Sequence, residues 1–148
     1  MDNLFKPELF RHAILMTVRF ADLDALAHVN HAAYLTYMEQ ARMTYARDVW
    51  GWDSDIKKLN IIVARATVDY KAPMFLNEQV RVWTRCSRLG TKSFDLAYLV
   101  QREGKSGPDS IVATGITGMV AYDYAANKTI AFPTEWRIRT LAFEPALS

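Results

Sequence analysis

The strongest constraint on the fold of this chain is a helical stretch of about twenty residues that is followed by stretches with a two-residue period. Between about Asn30 and Trp50, apolar side chains recur at the i, i+4, i+7 spacing that places them on one face of an α-helix. Asn30 is suited to cap the start of this helix, and Gly51 is suited to end it. Such a helix is roughly 28–30 Å long, so it crosses a small domain and needs an apolar partner along its length.

Stretches in which apolar and polar residues alternate predict the strands that cover this helix. One strand is predicted before the helix, at residues 11–20, and four after it, at residues 60–71, 79–88, 92–102 and 110–122. Pro133 suits the first turn of a short terminal helix from Thr134 to about Leu141. This order of elements predicts an α+β fold, in which a curved antiparallel sheet wraps around a long central helix. Because no linker or repeat divides the sequence, we expect residues 1–148 to form a single domain.

The composition argues against several classes of function. A net charge of +2 is too small to hold nucleic acid by charge alone. The single cysteine, Cys86, excludes an internal disulfide and a cysteine-based metal site, and the histidines lack the spacing of metal ligands. We therefore expect no metal and no redox cofactor. The sequence contains no signal-peptide core and no apolar stretch of transmembrane length, so we expect a cytoplasmic protein without a membrane span.

The loop between the first strand and the long helix holds most of the side chains that are suited to chemistry. It concentrates two carboxylates, two imidazoles and an amide in Asp22, Asp24, His28, Asn30 and His31. Asp24 lies just before the helix, whose first N–H groups are free and carry a partial positive charge. A carboxylate there can act as nucleophile or general base on a carbonyl group while the N–H groups hold the developing oxyanion. The residues alone leave this role and a turn-forming role of Asp24 equally open.

The other polar residues of the loop have structural interpretations as well as functional ones. Asp22 alternates with Asp24 along an extended segment, so we expect Asp22 to point the other way and to form structural hydrogen bonds. The residues leave two roles open for His28: a solvated loop residue, or a residue that orients the carboxylate. Two roles are also open for Asn30, a plain N-cap and a catalytic residue, and one side chain is able to fill both.

The same loop resembles the signature of the hotdog-fold acyl-CoA thioesterases, in particular the 4-hydroxybenzoyl-CoA thioesterase-like family. That signature runs approximately R-x-x-D-x-D-x-x-G-H-V-N-N-x-x-Y-x-x-Y-x-E-x-A-R. The matching residues, in order and spacing, are Arg19, Asp22, Asp24, His28, Val29, Asn30, Tyr34, Tyr37, Glu39, Ala41 and Arg42. Residues 68–73, 77–80 and 89–94 are also similar to the family. The chain departs from the signature at Ala27, where the family has Gly, and at His31, where it has Asn; Ala27 is strained if its φ is positive.

The resemblance implies a hotdog fold and hydrolysis of an acyl-CoA or acyl-carrier-protein thioester to the free acid and the thiol. It assigns the nucleophile or general base to Asp24, and His28, Asn30 and His31 are the further catalytic candidates. The amides near Asn30 and His31 would then hold the oxyanion. It also implies a homodimer or homotetramer with sites at subunit interfaces. Two alternatives stay open: an acyl-CoA-binding domain without turnover, and a hotdog dehydratase of hydroxyacyl thioesters.

Residues that bind the substrate are expected on the helix and at one turn of the sheet. Arg85, Arg88 and Lys92 form a small basic patch around residues 89–91, which suits the phosphates of coenzyme A or a phosphopantetheine arm. The substrate-binding candidates are Tyr34, Arg88, Thr91, Lys92 and Ser93. The rival carboxylate is Glu39 on the helix, but its position three residues before Arg42 favours an ordinary ion pair.

Overall fold

The computed structural model describes residues 3–147. The main elements of this part of the chain are a long helix, a short helix and six strands. Helix α1 spans His31–Trp50 and helix α2 spans Thr134–Phe143. The strands are β1 (His12–Thr17), β2 (Ile61–Tyr70), β3 (Gln79–Leu89), β4 (Ser93–Arg102), β5 (Ile111–Asp123) and β6 (Lys128–Thr129). Within residues 3–147, neither helix is long and apolar enough to cross a membrane.

The strands form one antiparallel sheet that curls around α1. Their order is β1-β3-β4-β5-β2, and the short β6 pairs with the end of β5. The side chains of Ala41, Tyr45 and Ala46 on α1 are 0% exposed, so the helix is the centre of the core. The helix approaches β5 closely at Gly115, where a Cβ atom would lie 2.7 Å from Met38 Cε. The predicted α+β class, with a curved antiparallel sheet around a long helix, is confirmed.

The ends of α1 lie where the sequence predicts them. The Oδ1 atom of Asn30 accepts a hydrogen bond from Ala32 N at 2.9 Å, which is the contact of an N-cap side chain. Gly51 has φ +74°, a left-handed conformation that glycine adopts without steric cost and that commonly ends a helix. The helix therefore begins directly after the polar loop, and its first N–H groups face that loop.

Strand β2 differs from the expectation that the alternating strands cover the helix. It lies at the edge of the sheet, and most of its side chains are exposed, including Ile62, Val63 and Tyr70. A helix is about 10 Å wide whereas neighbouring strands lie about 4.8 Å apart, so one helix cannot cover five strands. The outer edge of β2 therefore carries apolar side chains and backbone groups that are free to pair.

Arg85 does not belong to the exposed basic patch in which the sequence placed it. Its side chain is buried under the N-terminal segment, where Nε donates a hydrogen bond to Leu4 O at 3.2 Å and the guanidinium lies 5.7 Å from the centre of the Phe10 ring. The sequence gives no sign of this contact because the segment that covers Arg85 is about eighty residues away along the chain.

A buried carboxyl group joins the end of α2 to α1 and β3. The Oε1 atom of Glu144 accepts hydrogen bonds from Tyr45 OH at 2.7 Å and from Cys86 N at 3.1 Å, and Glu144 is 0% exposed. Burial raises the pKa of Glu144, although these hydrogen bonds and the charges of Arg85 and Arg11 act to lower it. The Oε2 atom is buried and has no hydrogen-bond partner among the described residues, so no hydrogen bond to this oxygen favours the charged form.

This raised pKa predicts how stability depends on pH. The folded protein holds the Glu144 proton more tightly than the unfolded chain does, so its stabilising contribution falls as pH rises above the ordinary value of about 4.5. We expect the Glu144→Gln variant, which stays neutral, to lose this part of the pH dependence. Urea unfolding measured between pH 4 and 8 tests this, with Glu135→Gln on the exposed face of α2 as control. Wild-type and Glu144→Gln curves that run parallel would contradict it.

Candidate active site

The polar loop is a closed turn that its own backbone holds together. After the 3₁₀ helix Phe20–Asp22, Leu23 and Val29 form an antiparallel bridge, and Asp24 N donates to His28 O at 3.0 Å. Ala27, at the tip, has φ +65°. The sequence left open whether φ is positive at this position; it is, so the alanine occupies a left-handed conformation for which glycine is better suited. The loop therefore presents Asp24 in a fixed position beside the start of α1.

Asp22 anchors this loop to the core. Its buried carboxylate accepts hydrogen bonds from Tyr37 OH at 2.6 Å, Arg19 Nη2 at 2.8 Å and Arg19 N at 2.9 Å. Burial acts to raise the pKa of Asp22, but the hydrogen bonds from Arg19 and Tyr37 outweigh it and leave the pKa below its ordinary value. Asp22 O also accepts from Asn30 N at 2.8 Å. The prediction that Asp22 is a structural hydrogen-bonding residue is confirmed.

Asp24 keeps one carboxylate oxygen available for chemistry. Its Oδ1 atom accepts a hydrogen bond from Leu26 N at 2.9 Å, which turns the loop. Its Oδ2 atom lies 3.9 Å from His28 Nδ1, and the Asp24 side chain is 26% exposed. The turn-forming and functional interpretations are therefore compatible, because each uses a different oxygen. His28 Nδ1 lies near the available oxygen but beyond hydrogen-bond distance.

The first N–H group of α1, that of His31, is free of a hydrogen-bond acceptor within residues 3–147. Asn30 occupies the next two amides, since its Oδ1 accepts from Ala32 N and its backbone oxygen accepts from Ala33 N, both at 2.9 Å. His31 N has no hydrogen-bond acceptor within the described part of the chain. Of the amides at residues 30–33, that of His31 is therefore the one without an acceptor among the described residues.

Asp24 and His31 line the same cleft, which has a volume of about 490 Å³. The remaining lining residues are Leu26, His28, Val29, Tyr34, Tyr70, Lys71, Ala72 and Pro73. Asp24 is the only carboxylate among these residues. The predicted site residues Asp24, His28, His31 and Tyr34 therefore come together, and Asn30 caps the helix beside them. The walls of the cleft are mostly apolar, as suits an acyl group.

The sequence did not identify the wall of this cleft at residues 70–73. Tyr70 is the last residue of β2, and residues 71–73 follow it. The Tyr70 hydroxyl donates to His31 O at the start of α1 at 2.7 Å. The available signal was the similarity to the family in residues 68–73, which gave no role to any single side chain. Residues about forty positions apart in the chain form this contact, so no local pattern indicates it.

The turn at residues 89–93 lies at the opposite end of the sheet from Asp24 within one protomer. Asp24 follows β1, which pairs with the start of β3, whereas the turn follows the end of β3, roughly 35 Å away at the rise of an extended strand. Arg88 donates to both carboxylate oxygens of Asp95 at 2.8 and 3.1 Å and to Ser93 Oγ at 3.1 Å. Lys92 Nζ lies 3.5 Å from Thr129 Oγ1, and Thr91 O accepts from Phe132 N. One protomer does not bring Arg88, Thr91, Lys92 and Ser93 to the cleft.

Neither a rival acid nor a metal ligand set shares the Asp24 cleft. Glu39 does not line it, and its Oε2 atom lies 3.6 Å from Arg42 Nη2, as the predicted ion pair requires. Residues 3–147 contain no group of three or more His, Cys, Asp or Glu side chains placed to hold a metal ion.

Comparison with known proteins gives the class of the protein. Residues 18–140 match the sequence model of the thioesterase-like superfamily. A thioesterase of Thermus thermophilus, solved with coenzyme A and Zn, is 33% identical with a TM-score of 0.81, over 93% of this chain and 97% of that chain. The probable thioesterase YbaW of Escherichia coli is 26% identical with a TM-score of 0.70, over 87% and 96%. The curved sheet around α1 is thus the hotdog fold of the thioesterases.

Curated relatives agree with this assignment. The long-chain acyl-CoA thioesterase FadM of Escherichia coli (strain K12) is 26% identical over 122 residues, which cover 81% of this chain and 89% of FadM. The putative acyl-CoA thioesterase YneP of Bacillus subtilis (strain 168) is 28% identical over 131 residues, covering 87% and 92%. The chain belongs to the thioesterase-like superfamily and is a thioester hydrolase.

The two aspartates of the loop are expected to differ in their effect on stability. Asp22→Asn removes the charge that Arg19 neutralises and weakens a buried hydrogen-bond network, so we expect it to lower the free energy of unfolding by about 1–3 kcal/mol at pH 7. Asp24→Asn keeps the turn-forming oxygen and is expected to change it by less than about 0.5 kcal/mol. Chemical denaturation of both variants tests this. An equal loss in the two would mean that Asp22 does not anchor the loop.

Ala27 offers a second test of the loop conformation. Glycine at φ +65° relieves the steric cost of a left-handed alanine, and this gain exceeds the added freedom of the unfolded chain. We expect Ala27→Gly to raise the free energy of unfolding by about 0.5–1 kcal/mol. The control is Ala46→Gly inside α1, which should lower it. Destabilisation by Ala27→Gly would show that the turn does not require a left-handed residue.

Proposed function

We propose that the protein hydrolyses the thioester of an acyl-CoA, or of an acyl-carrier protein, to a free acid and a thiol, with Asp24 as nucleophile or general base. The observation that carries this proposal is that one cleft is lined by Asp24, which has an available carboxylate oxygen, and by His31, whose N–H has no acceptor among the described residues. Thioester hydrolysis needs these two groups: one that attacks the carbonyl carbon or activates water, and one that binds the oxygen as it becomes negative.

The reaction follows from this arrangement in one of two balanced forms. As nucleophile, Asp24 Oδ2 bonds to the carbonyl carbon, the thiolate leaves with the electrons of the C–S bond, and water then hydrolyses the mixed anhydride. As general base, Oδ2 takes a proton from water while the water oxygen bonds to the same carbon. The C–S bond then breaks, and the thiolate leaves with its electrons and takes up the proton from Asp24. In both forms, the N–H of His31 and the positive end of α1 stabilise the oxyanion. We assign His28, whose Nδ1 lies 3.9 Å from Oδ2, to orient the carboxylate once substrate binding brings the two within hydrogen-bond distance.

Similarity to relatives supports a coenzyme A thioester as substrate. FadM is named for long-chain acyl-CoA, and the Thermus thermophilus thioesterase was solved with coenzyme A. The mostly apolar lining of the cleft, which includes Tyr34, Val29 and Pro73, fits an acyl group. The first step of a test is therefore the release of free thiol from a panel of short, long and aromatic acyl-CoAs.

We further propose that the protein works as a homodimer or homotetramer. The exposed outer edge of β2, with Ile62 and Val63 beside unpaired backbone groups, is the kind of surface that a second copy covers. An assembly of this kind would allow the turn at residues 89–93 of one subunit to approach the Asp24 cleft of its partner. Sedimentation analysis tests the assembly, and a monomer that is fully active would contradict it.

Asp24→Asn is the variant that tests the catalytic assignment. Its amide neither attacks a thioester nor accepts a proton from water, so we expect kcat to fall by about 10²- to 10⁴-fold while the fold and coenzyme A binding are kept. Free-thiol release and calorimetric titration with coenzyme A measure the two properties. The matched control is Asp109→Asn, which lies on an exposed loop outside the cleft.

Three outcomes would contradict this assignment. Full activity of Asp24→Asn would remove Asp24 from the reaction. Loss of turnover in Glu39→Gln with an active Asp24→Asn would transfer the role to the helix carboxylate. Binding of acyl-CoAs by the wild type without hydrolysis of any of them would favour a binding domain.

A further inference from the structure

We propose that Tyr70 is a positioning residue that holds the first peptide of α1, so that His31 N–H stays directed at the substrate carbonyl oxygen. This inference rests on the proposed function, because it assigns a role toward the oxyanion that Asp24 chemistry generates. Tyr70 is the last residue of β2 and belongs to the wall of the cleft that the sequence did not identify.

The peptide between His31 and Ala32 is held at both of its polar ends. Its carbonyl oxygen, His31 O, accepts a hydrogen bond from Tyr70 OH at 2.7 Å, and its N–H, Ala32 N, donates to Asn30 Oδ1 at 2.9 Å. The preceding peptide carries the free His31 N–H, and its own oxygen, Asn30 O, accepts from Ala33 N at 2.9 Å. The φ and ψ angles of His31 are therefore fixed from both sides, which sets the direction of its N–H.

Aromatic contacts hold the Tyr70 ring in the orientation that this hydrogen bond needs. The ring lies edge-to-face against Tyr34 at 5.0 Å between centroids and against the His31 imidazole at 6.4 Å. All three residues line the cleft. His31 stands where the resembling family has Asn, so in this chain the residue that supplies the N–H also contacts the residue that fixes it.

The contact also joins two elements that lie far apart in the chain. Tyr70 ends β2, whereas His31 begins α1, and the cleft lies between the two segments. Helix ends fray unless they are capped, and an oxyanion donor is effective only when it is held at its position before the reaction. The Tyr70 hydroxyl supplies this restraint from outside the helix.

The test is Tyr70→Phe, which removes the hydroxyl and keeps the ring. We expect kcat to fall about tenfold, less than the 10²- to 10³-fold typical of deleting an oxyanion donor, while KM stays within about twofold. The matched control is Tyr124→Phe, whose hydroxyl donates to Ile61 O at the same 2.7 Å but at the opposite end of β2. We expect this control to keep the wild-type kcat.

A second readout follows the donor itself and does not require turnover. In nuclear magnetic resonance spectra of the ligand-free protein, the His31 amide should shift and exchange faster with solvent in Tyr70→Phe than in the wild type or in Tyr124→Phe. A Tyr70→Phe variant with wild-type kcat and an unchanged His31 amide overturns the inference. If the wild type hydrolyses no thioester, the proposed function fails, and the amide exchange alone decides whether Tyr70 holds His31.

Discussion

The burial of α1 against the curled sheet is the interaction on which the rest of the structure depends. Tyr37, Ala41 and Tyr45 on the buried face of α1 are almost fully excluded from solvent, so the axis and rotation of the helix are fixed by packing on β3, β4 and β5. Tyr37 connects the packed helix to the loop, because its ring is buried in the core while its hydroxyl donates a hydrogen bond to Asp22. The loop is therefore held in the place where the helix begins.

Environment separates the roles of two carboxylates that lie two residues apart. Asp22 is buried, is paired with Arg19 and has a lowered pKa, so its charge is used within the protein. Asp24 uses one oxygen for the turn and keeps the other in the cleft, where no other carboxylate competes for a substrate. Because Asp22 anchors the loop, the available oxygen of Asp24 is held in place. A carboxylate on a mobile loop would not stay aligned with the helix N–H.

Local patterns predicted the parts of this structure that local physics decides. Periodicity predicted α1 and its strands, and Asn30 and Gly51 marked the ends of the helix. The contacts that these patterns did not predict join segments that are distant in the chain. The burial of Arg85 under the N-terminal segment and the hydrogen bond from Tyr70 OH to His31 O both depend on tertiary packing.

The candidate site shows the same division between local and tertiary information. The motif placed Asp24, His28 and His31 in one cleft because they are neighbours in the chain. It could not show that Arg88 and Lys92 lie at the far end of the sheet, because the direction of β3 relative to the loop follows from strand pairing. Any joint role of these two groups depends on assembly, which one chain does not encode locally.

The most direct test of the proposed site is a crystal structure of Asp24→Asn with an intact acyl-CoA bound. If His31 N–H is the oxyanion donor, the thioester carbonyl oxygen lies about 2.7–3.1 Å from His31 N, with residue 24 facing the carbonyl carbon. A thioester bound away from His31 N, for example with its carbonyl beside Glu39, would contradict the proposed roles of Asp24 and His31.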